Sequence, residues 1–205
     1  MENTDFLRSK FGIEIEMTGI TRSKAAKVIA DYLGGTITKL NDYYGTYKIA
    51  ADNRVWKVMY DGSIYTQKKV NGQKVSAGKE YSVELVSPIL TYKEDIETLQ
   101  EIIRKLRKAG AFSEQQNCTG IHIHLNGDDH TPRSLRNFIN IIYSRNDLLY
   151  ESLQIEPRRM HYCKKMDADL VERMNKKKPT TLKQIEDIWY QGYSDRRERH
   201  YHESR

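Results

Sequence analysis

The stretch FGIEIEMTG at residues 11–19 alternates apolar residues with glutamates, and this period of two predicts a β-strand. On such a strand Glu14 and Glu16 lie on one face, roughly 7 Å apart, and the apolar residues lie on the other. Two carboxylates so close repel each other unless water screens them or a cation lies between them. The stretch therefore predicts a sheet with one apolar face and one acidic face.

The other periodic segments predict helices set between hairpins. Amphipathic helices are predicted over residues 23–35, 91–110, from Thr131-Pro132 onward, about 167–176 and 181–191. Short β-rich runs fill residues 43–86, with a tight turn at Asn71-Gly72. Thr91 and Glu94 have the spacing of a capping box. Because there is no regular βαβ alternation, the pattern predicts an α+β fold, in which helices cover one face of a mainly antiparallel sheet.

A second alternating strand is predicted at TGIHIHLNG, residues 119–127. His122 and His124 share one face of it, opposite the apolar residues Ile121, Ile123 and Leu125. If this strand lies in the same sheet as the first, both imidazoles and both glutamates line the open face. Imidazoles projecting from one face can bind a metal or contact phosphate.

Length and composition indicate one globular domain over residues 1–205, which is 38% hydrophobic. The sequence contains no apolar stretch of signal or membrane-span length, so we expect a cytoplasmic location and no membrane partner. Cys118 and Cys163 lie far apart without a CxxC pair, which argues against a disulfide framework and a cysteine-based zinc site.

The formal net charge of +6 suits an anionic partner such as a nucleotide, a nucleic acid or an acidic substrate. Much of the excess lies late, at residues 175–179 and in the segment 192–205, which we expect to be a flexible or truncated basic tail. Because no basic and aromatic residues interleave on one regular element, nucleic acid is not the expected partner.

Each acidic motif alone leaves its role open. Asp61-Gly62-Ser63 fits an ordinary turn at a strand end. Glu84 lies between Val83 and Leu85 in a strongly β-forming run, so its carboxylate must face solvent, pair with a cation or bind a metal.

Four motifs in order, FGIEIE, W-x-V-x-x-DGS, ELVSP and N-x-T-GIHIH, span residues 11–124, and MHYC follows at 160–163. Together they resemble the amidoligase family, a branch of the carboxylate-amine ligases that share the glutamine synthetase and glutamate-cysteine ligase fold. The resemblance implies an ATP-dependent enzyme that joins a carboxylate substrate to an amine substrate, an amino acid, peptide or protein side chain, through an acyl phosphate. Family members typically continue beyond the equivalent of Arg205, so we expect a C-terminally truncated or degenerate member.

The resemblance also implies Mg²⁺ or Mn²⁺ as a cofactor, since hard divalent cations prefer oxygen ligands. The expected metal ligands are Glu14, Glu16, Glu84 and His122. The expected nucleotide contacts are Lys57, His124 and Arg158, and the expected catalytic residues are Asp61, Ser63 and Arg159. Arginine can bind phosphate or carboxylate through two hydrogen bonds, whereas lysine acts as a point charge.

Three other functions stay open from the sequence. A zinc-dependent hydrolase would use His122 and His124 with a third ligand from His161, Glu84 or Cys118. A nucleic-acid-binding module would use the basic C-terminal region. A catalytically weak binding or scaffold protein is the third. The sequence identifies neither the acid nor the amine, nor the oligomeric state.

Overall fold

The computed structural model describes residues 7–155, 157, 160 and 163–190 of the chain. The chain divides into two compact units, Met1–Asn126 and Gly127–Arg205. Arg158, Arg159, His161 and the predicted basic tail at 192–205 lie outside the described residues. The predicted single-domain organisation and the predicted glutamine synthetase-like core stay predictions.

The first unit is built from β-strands and two helices. Its strands are β1 (Lys10–Met17), β2 (Thr36–Lys39), β3 (Tyr47–Ala51), β4 (Arg54–Met59), β5 (Gln67–Val70), β6 (Gln73–Ser76), β7 (Val83–Val86), β8 (Leu90–Thr91) and β9 (Ile121–Leu125). Its helices are α1 (Arg22–Leu33) and α2 (Tyr92–Lys108). The predicted α+β class with a mainly antiparallel sheet is confirmed.

The main sheet has seven strands, and its path runs β2-β3-β4-β7-β1-β8, with β9 also paired to β1. All of its pairings are antiparallel. β1 is central, because β7 and β8 pair with different parts of it and β9 pairs with Phe11–Ile15. Between β7 and β8, Ser87 keeps contact with β1: its N–H donates to Ile13 O at 2.9 Å, and its Oγ accepts from Ile13 N–H at 2.9 Å.

β5 and β6 form a separate two-stranded sheet. Their register joins Val70 to Gln73 across a two-residue turn. In that turn Asn71 and Gly72 have φ of 49° and 79°, the positive values that a tight type I′ hairpin turn requires. The predicted Asn71-Gly72 turn is confirmed.

Alternation along the strands places one face of the main sheet in the core. Ile15, Trp56 and Leu85 are buried there, and they pack in one cluster with Ile29 of α1 and Ile102 of α2. Burial of such side chains is the main favourable contribution to folding. The helices of this unit therefore pack on one face, as predicted, and the opposite face carries the polar residues.

The helix ends follow local sequence signals in one case and not in the other. Thr21 caps α1 by accepting from Lys24 N–H, and Gly34 ends it in the left-handed conformation with φ of 65°. The predicted capping box at the start of α2 is wrong, because the Thr91 side chain makes no capping hydrogen bond. Instead, Asp95 Oδ2 accepts from Thr91 N–H at 2.8 Å, and Asp95 Oδ1 pairs with Arg54 Nη1 at 2.6 Å.

The second unit contains α3 (Pro132–Ser152), α4 (Ala168–Lys177) and α5 (Leu182–Tyr190) among its described residues. Thr131 caps α3 in a reciprocal pair with Ser134, as its Thr-Pro start predicts. Ile139 packs with Leu170, Met174 and Trp189 in a core that belongs to this unit. Over the described part of the chain, no helix combines the length and apolar character that crossing a bilayer requires.

Candidate metal centre

The register of the strands places the predicted glutamates side by side on the open face. Glu16 lies directly opposite Glu84 of β7, and Glu14 lies opposite His122 of β9. Their neighbours Ile15, Met17 and Leu85 are buried on the other face. The prediction that the acidic strand and the histidine strand share a sheet and an open face is confirmed.

Glu16, Asp61 and Glu84 form a cluster that we call the carboxylate trio. Each contributes a carboxylate oxygen, and these oxygens all lie within 4.8 Å of one another. Side chains that can ligate a metal converge in threes at no other place in the described part of the chain. The trio combines a residue predicted to be catalytic, Asp61, with two predicted metal ligands.

Hydrogen bonds hold Glu16 from both its side chain and its backbone. Gly120 N–H donates to Glu16 Oε2 at 2.6 Å, and Ser113 Oγ donates to Glu16 O at 2.6 Å. The residue is only 5% exposed. A buried carboxylate that accepts a short hydrogen bond has a fixed orientation, so the Glu16 carboxylate has a defined position on the open face.

Asp61 reaches the trio because it lies two residues after the end of β4, which is paired with β7. Met59 lies opposite Glu84, so the chain leaves β4 next to the glutamate. The buried hydroxyl of Ser82 then holds the Asp61 backbone: it accepts from Asp61 N–H at 3.0 Å and donates to Asp61 O at 2.6 Å. Asp61 Oδ1 also accepts from Ser63 N–H at 2.6 Å, which closes the turn.

The electrostatics of the trio are dominated at Glu84 by burial and by neighbouring negative charges. Burial, together with the negative charges of Glu14, Asp61 and Glu16, raises the pKa of Glu84 to about 7. A carboxyl group with this pKa is half protonated near neutral pH. A divalent cation would remove this strain, because it would replace the proton and neutralise the neighbouring charges.

Glu14 has different partners from the trio. Its Oε2 lies 3.1 Å from His122 Nδ1, and its Oε1 lies 3.3 Å from His124 Nε2. The Glu14 side chain is 27% exposed and that of His124 is 54% exposed, so the group borders solvent. Glu14 is thus placed beside the trio and bridges two imidazoles.

Two of the remaining predicted residues, Lys57 and Ser63, lie next to this centre. Lys57 lies on β4 opposite Val86, which places its side chain on the open face next to the trio. Ser63 lies in the turn after Asp61, where its N–H holds that carboxylate. Arg158 and Arg159 fall outside the described residues, so the structure gives no position for these two.

The donor set fits a hard divalent cation. Three carboxylate oxygens suit Mg²⁺, which binds oxygen ligands and keeps several of its waters. Zinc prefers nitrogen and sulfur ligands, and within the described ranges the two histidines do not join a third ligand in such a cluster. The all-oxygen donor set of the trio therefore suits Mg²⁺ or Mn²⁺ better than Zn²⁺.

The comparison with known families adds to this geometry. Residues 7–205 match the family model described as "Putative amidoligase enzyme". The chain belongs to this family. Membership in the amidoligase family assigns the chain to a class of enzymes, consistent with a ligase that forms amide bonds. No curated protein and no solved structure matches the chain.

Two contributions to the site of this amidoligase-family protein are not apparent from its sequence. The first is that the Asp61 carboxylate lies close to those of Glu16 and Glu84. The Asp-Gly-Ser turn after β4 is a sequence signal for this contact, but it can be used only when the pairing of β4 with β7 is known. The second is Ser82, a buried hydroxyl that fixes the Asp61 backbone. A serine before a strand has no distinguishing pattern.

Proposed function

We propose that this chain is an ATP- and Mg²⁺-dependent carboxylate-amine ligase that forms an amide bond through an acyl-phosphate intermediate. The observation that carries the proposal is the convergence of three carboxylates on the open face of the sheet in a member of the amidoligase family. The raised pKa of Glu84 supports it, since the trio is poised to exchange a proton for a cation.

The chemistry requires two steps. A carboxylate oxygen of the acid substrate attacks the γ-phosphorus of ATP, and the bond to ADP breaks. The amine then attacks the acyl carbon, the C–O bond to phosphate breaks, and the amine gives up a proton. A divalent cation held by Glu16, Asp61 and Glu84 would supply charge neutralisation to the phosphates in the first step.

The residues of the open face would divide this work by charge. Glu16, Asp61 and Glu84 would hold the cation that accompanies the phosphates. Lys57 would contact a phosphate oxygen as a point charge from the neighbouring strand. Glu14 and its two histidines border the trio on the β9 side, where an imidazole could contact phosphate or accept a proton.

Calorimetric titration with Mg²⁺ and a non-hydrolysable ATP analogue tests the proposal. We expect the wild-type protein to bind the analogue only when Mg²⁺ is present. Glu84→Gln removes one ligand of the trio, so added Mg²⁺ should no longer promote binding of the analogue to this variant. Glu97→Gln is the matched control, because it makes the same chemical change on the exposed surface of α2. Equal metal-dependent binding by wild type and Glu84→Gln would contradict the proposed site.

A chemical trap tests the intermediate separately. Hydroxylamine is a strong nucleophile that converts an acyl phosphate into a stable hydroxamate, so it replaces the unknown amine. With ATP, Mg²⁺ and a panel of amino acids and peptides as acids, we expect hydroxamate and ADP to form in equal amounts. ADP released without hydroxamate for any acid would argue for simple ATP hydrolysis.

A further inference from the structure

Two lysines lie directly opposite each other on the open face of the main sheet. The β3–β4 register pairs Lys48 with Lys57. The next pair in this register, Ile49 and Trp56, is buried in the core, so alternation directs both lysines to the opposite, open face. Lys57 in turn lies opposite Val86, and Val86 lies opposite Glu14.

This arrangement is unfavourable for the sheet alone. Like charges directly opposite each other on antiparallel strands destabilise the pairing. Across the described part of the chain, neither lysine has a carboxylate within ion-pairing distance. The sheet thus holds two cations side by side, and neither pairs with the nearby trio.

The position of the lysine pair relative to the trio is fixed by register. Lys57 is opposite Val86, two residues along β7 from Glu84, and diagonal neighbours of this kind lie roughly 7–8 Å apart. An anion between the lysines and a cation on the trio would therefore be near neighbours. That is the charge arrangement a ligand with an oxyanion bound to a metal would match.

We infer that Lys48 and Lys57 together form an oxyanion-binding site beside the carboxylate trio. The inference rests on the proposed function, which supplies two sources of the oxyanion: a phosphate of ATP and a carboxylate of the acid substrate. Two ammonium groups across one strand pair can bind a single oxyanion between them, and its negative charge removes their mutual repulsion.

The experiment uses the full chain and the variants Lys48→Gln and Lys57→Gln. Lys27→Gln on the exposed surface of α1 is the control for the loss of one positive charge. Three probes are titrated at constant ionic strength: the non-hydrolysable ATP analogue with Mg²⁺, tripolyphosphate with Mg²⁺, and glutarate. We expect each open-face variant to bind at least one probe about fivefold more weakly, with no change in the control.

The pattern among the probes identifies the source. Weaker binding of both phosphate probes assigns the site to the nucleotide, and weaker binding of glutarate alone assigns it to the acid substrate. Lysine-dependent binding of tripolyphosphate or glutarate without binding of the ATP analogue would support the oxyanion site and contradict the proposed ATP dependence. Unchanged binding of all probes in both variants, an equal loss in the control, or no binding of any probe to wild type would overturn the inference.

Thermal unfolding without ligand separates a binding role from a structural one. Relief of the repulsion should raise the melting temperature of each open-face variant by about 1–3 °C. A lower melting temperature in both variants would show that the lysines support the sheet itself, and this result would also overturn the inference.

Discussion

Glu14 and Glu16 are two residues apart on β1 and share one face, yet their carboxylates have different partners. Glu14 bridges the imidazoles of His122 and His124. Glu16 is buried, accepts a hydrogen bond from Gly120 N–H and lies among other carboxylates. The comparison teaches that two glutamates on one strand face can differ in surroundings: Glu14 borders solvent between two imidazoles, whereas Glu16 is buried next to two further carboxylates.

The largest expected effect is on Mg²⁺ affinity, when each of these two glutamates is replaced by glutamine in a separate variant. Glu16→Gln should lower the Mg²⁺ affinity by about 100-fold or more, because it removes a ligand, and loss of partners that only orient ligands already costs 10–100-fold. Glu14→Gln should lower it by less than about tenfold, since Glu14 acts on the trio through space. Calorimetric titration with Mg²⁺ measures both, and equal losses in the two variants would remove the distinction between the glutamates.

The second prediction concerns pH. Glu84 has a pKa of about 7 in the folded chain, above the ordinary value of 4.5 for a glutamate. Between pH 4.5 and 7 the folded state therefore holds a proton on Glu84 that the unfolded state has released. Its contribution to stability without metal is therefore favourable at the acidic end, and it declines as the pH rises from about 4.5 to 7. Urea unfolding of wild type and Glu84→Gln across this range should show a steeper decline for wild type.

Metal binding should have the opposite dependence. Because Mg²⁺ must displace the proton from Glu84, its affinity should fall below pH 7 by up to about tenfold per pH unit. Glu14→Gln should move this dependence to lower pH, since Glu14 is one of the charges that raise the pKa of Glu84. An affinity that stays constant between pH 5.5 and 7.5 would argue that the cation does not contact Glu84.

The smallest effect is expected at Gly12, which lies on β1 opposite His124. A Cβ added there would meet only His124 Cβ, at 3.8 Å, an ordinary contact. Gly12→Ala should therefore raise the free energy of unfolding by about 0.5–1 kcal/mol, because glycine in a strand costs conformational entropy. Urea unfolding measures the change. A loss of stability would show that a methyl group at position 12 does not fit next to His124.

The sequence predicted those parts of the fold that depend on local periodicity. Alternation in β1 correctly separated Ile15 and Met17 from Glu14 and Glu16, and the Asn71-Gly72 turn followed from its two residues alone. Alternation in β9 also correctly placed the histidines and the apolar residues on opposite faces. The apolar residues are nevertheless exposed: Ile121, Ile123 and Leu125 are 61%, 62% and 71% exposed. Periodicity tells which residues share a face and does not tell how well that face is covered.

The composition of the site depended on information that a single strand does not contain. Asp61 and Glu84 are neighbours because β4 pairs with β7 in one register, and the sequence has no local mark of that pairing. The same reason explains the error at the start of α2. Thr91 and Glu94 have the correct spacing, but Arg54 of β4 pairs with Asp95, and Asp95 accepts the hydrogen bond from Thr91 N–H. The functional roles of the glutamates, His122 and the other predicted site residues stay predictions.

The hydrogen bond from Gly120 to Glu16 joins residues separated by 104 positions in the chain. Closing a loop of this length costs conformational entropy, so contacts between such distant segments form more slowly than local ones. During synthesis, the first strand leaves the ribosome long before its partner at Gly120 exists. A nascent chain therefore carries Glu16 without the donor that later orients its carboxylate.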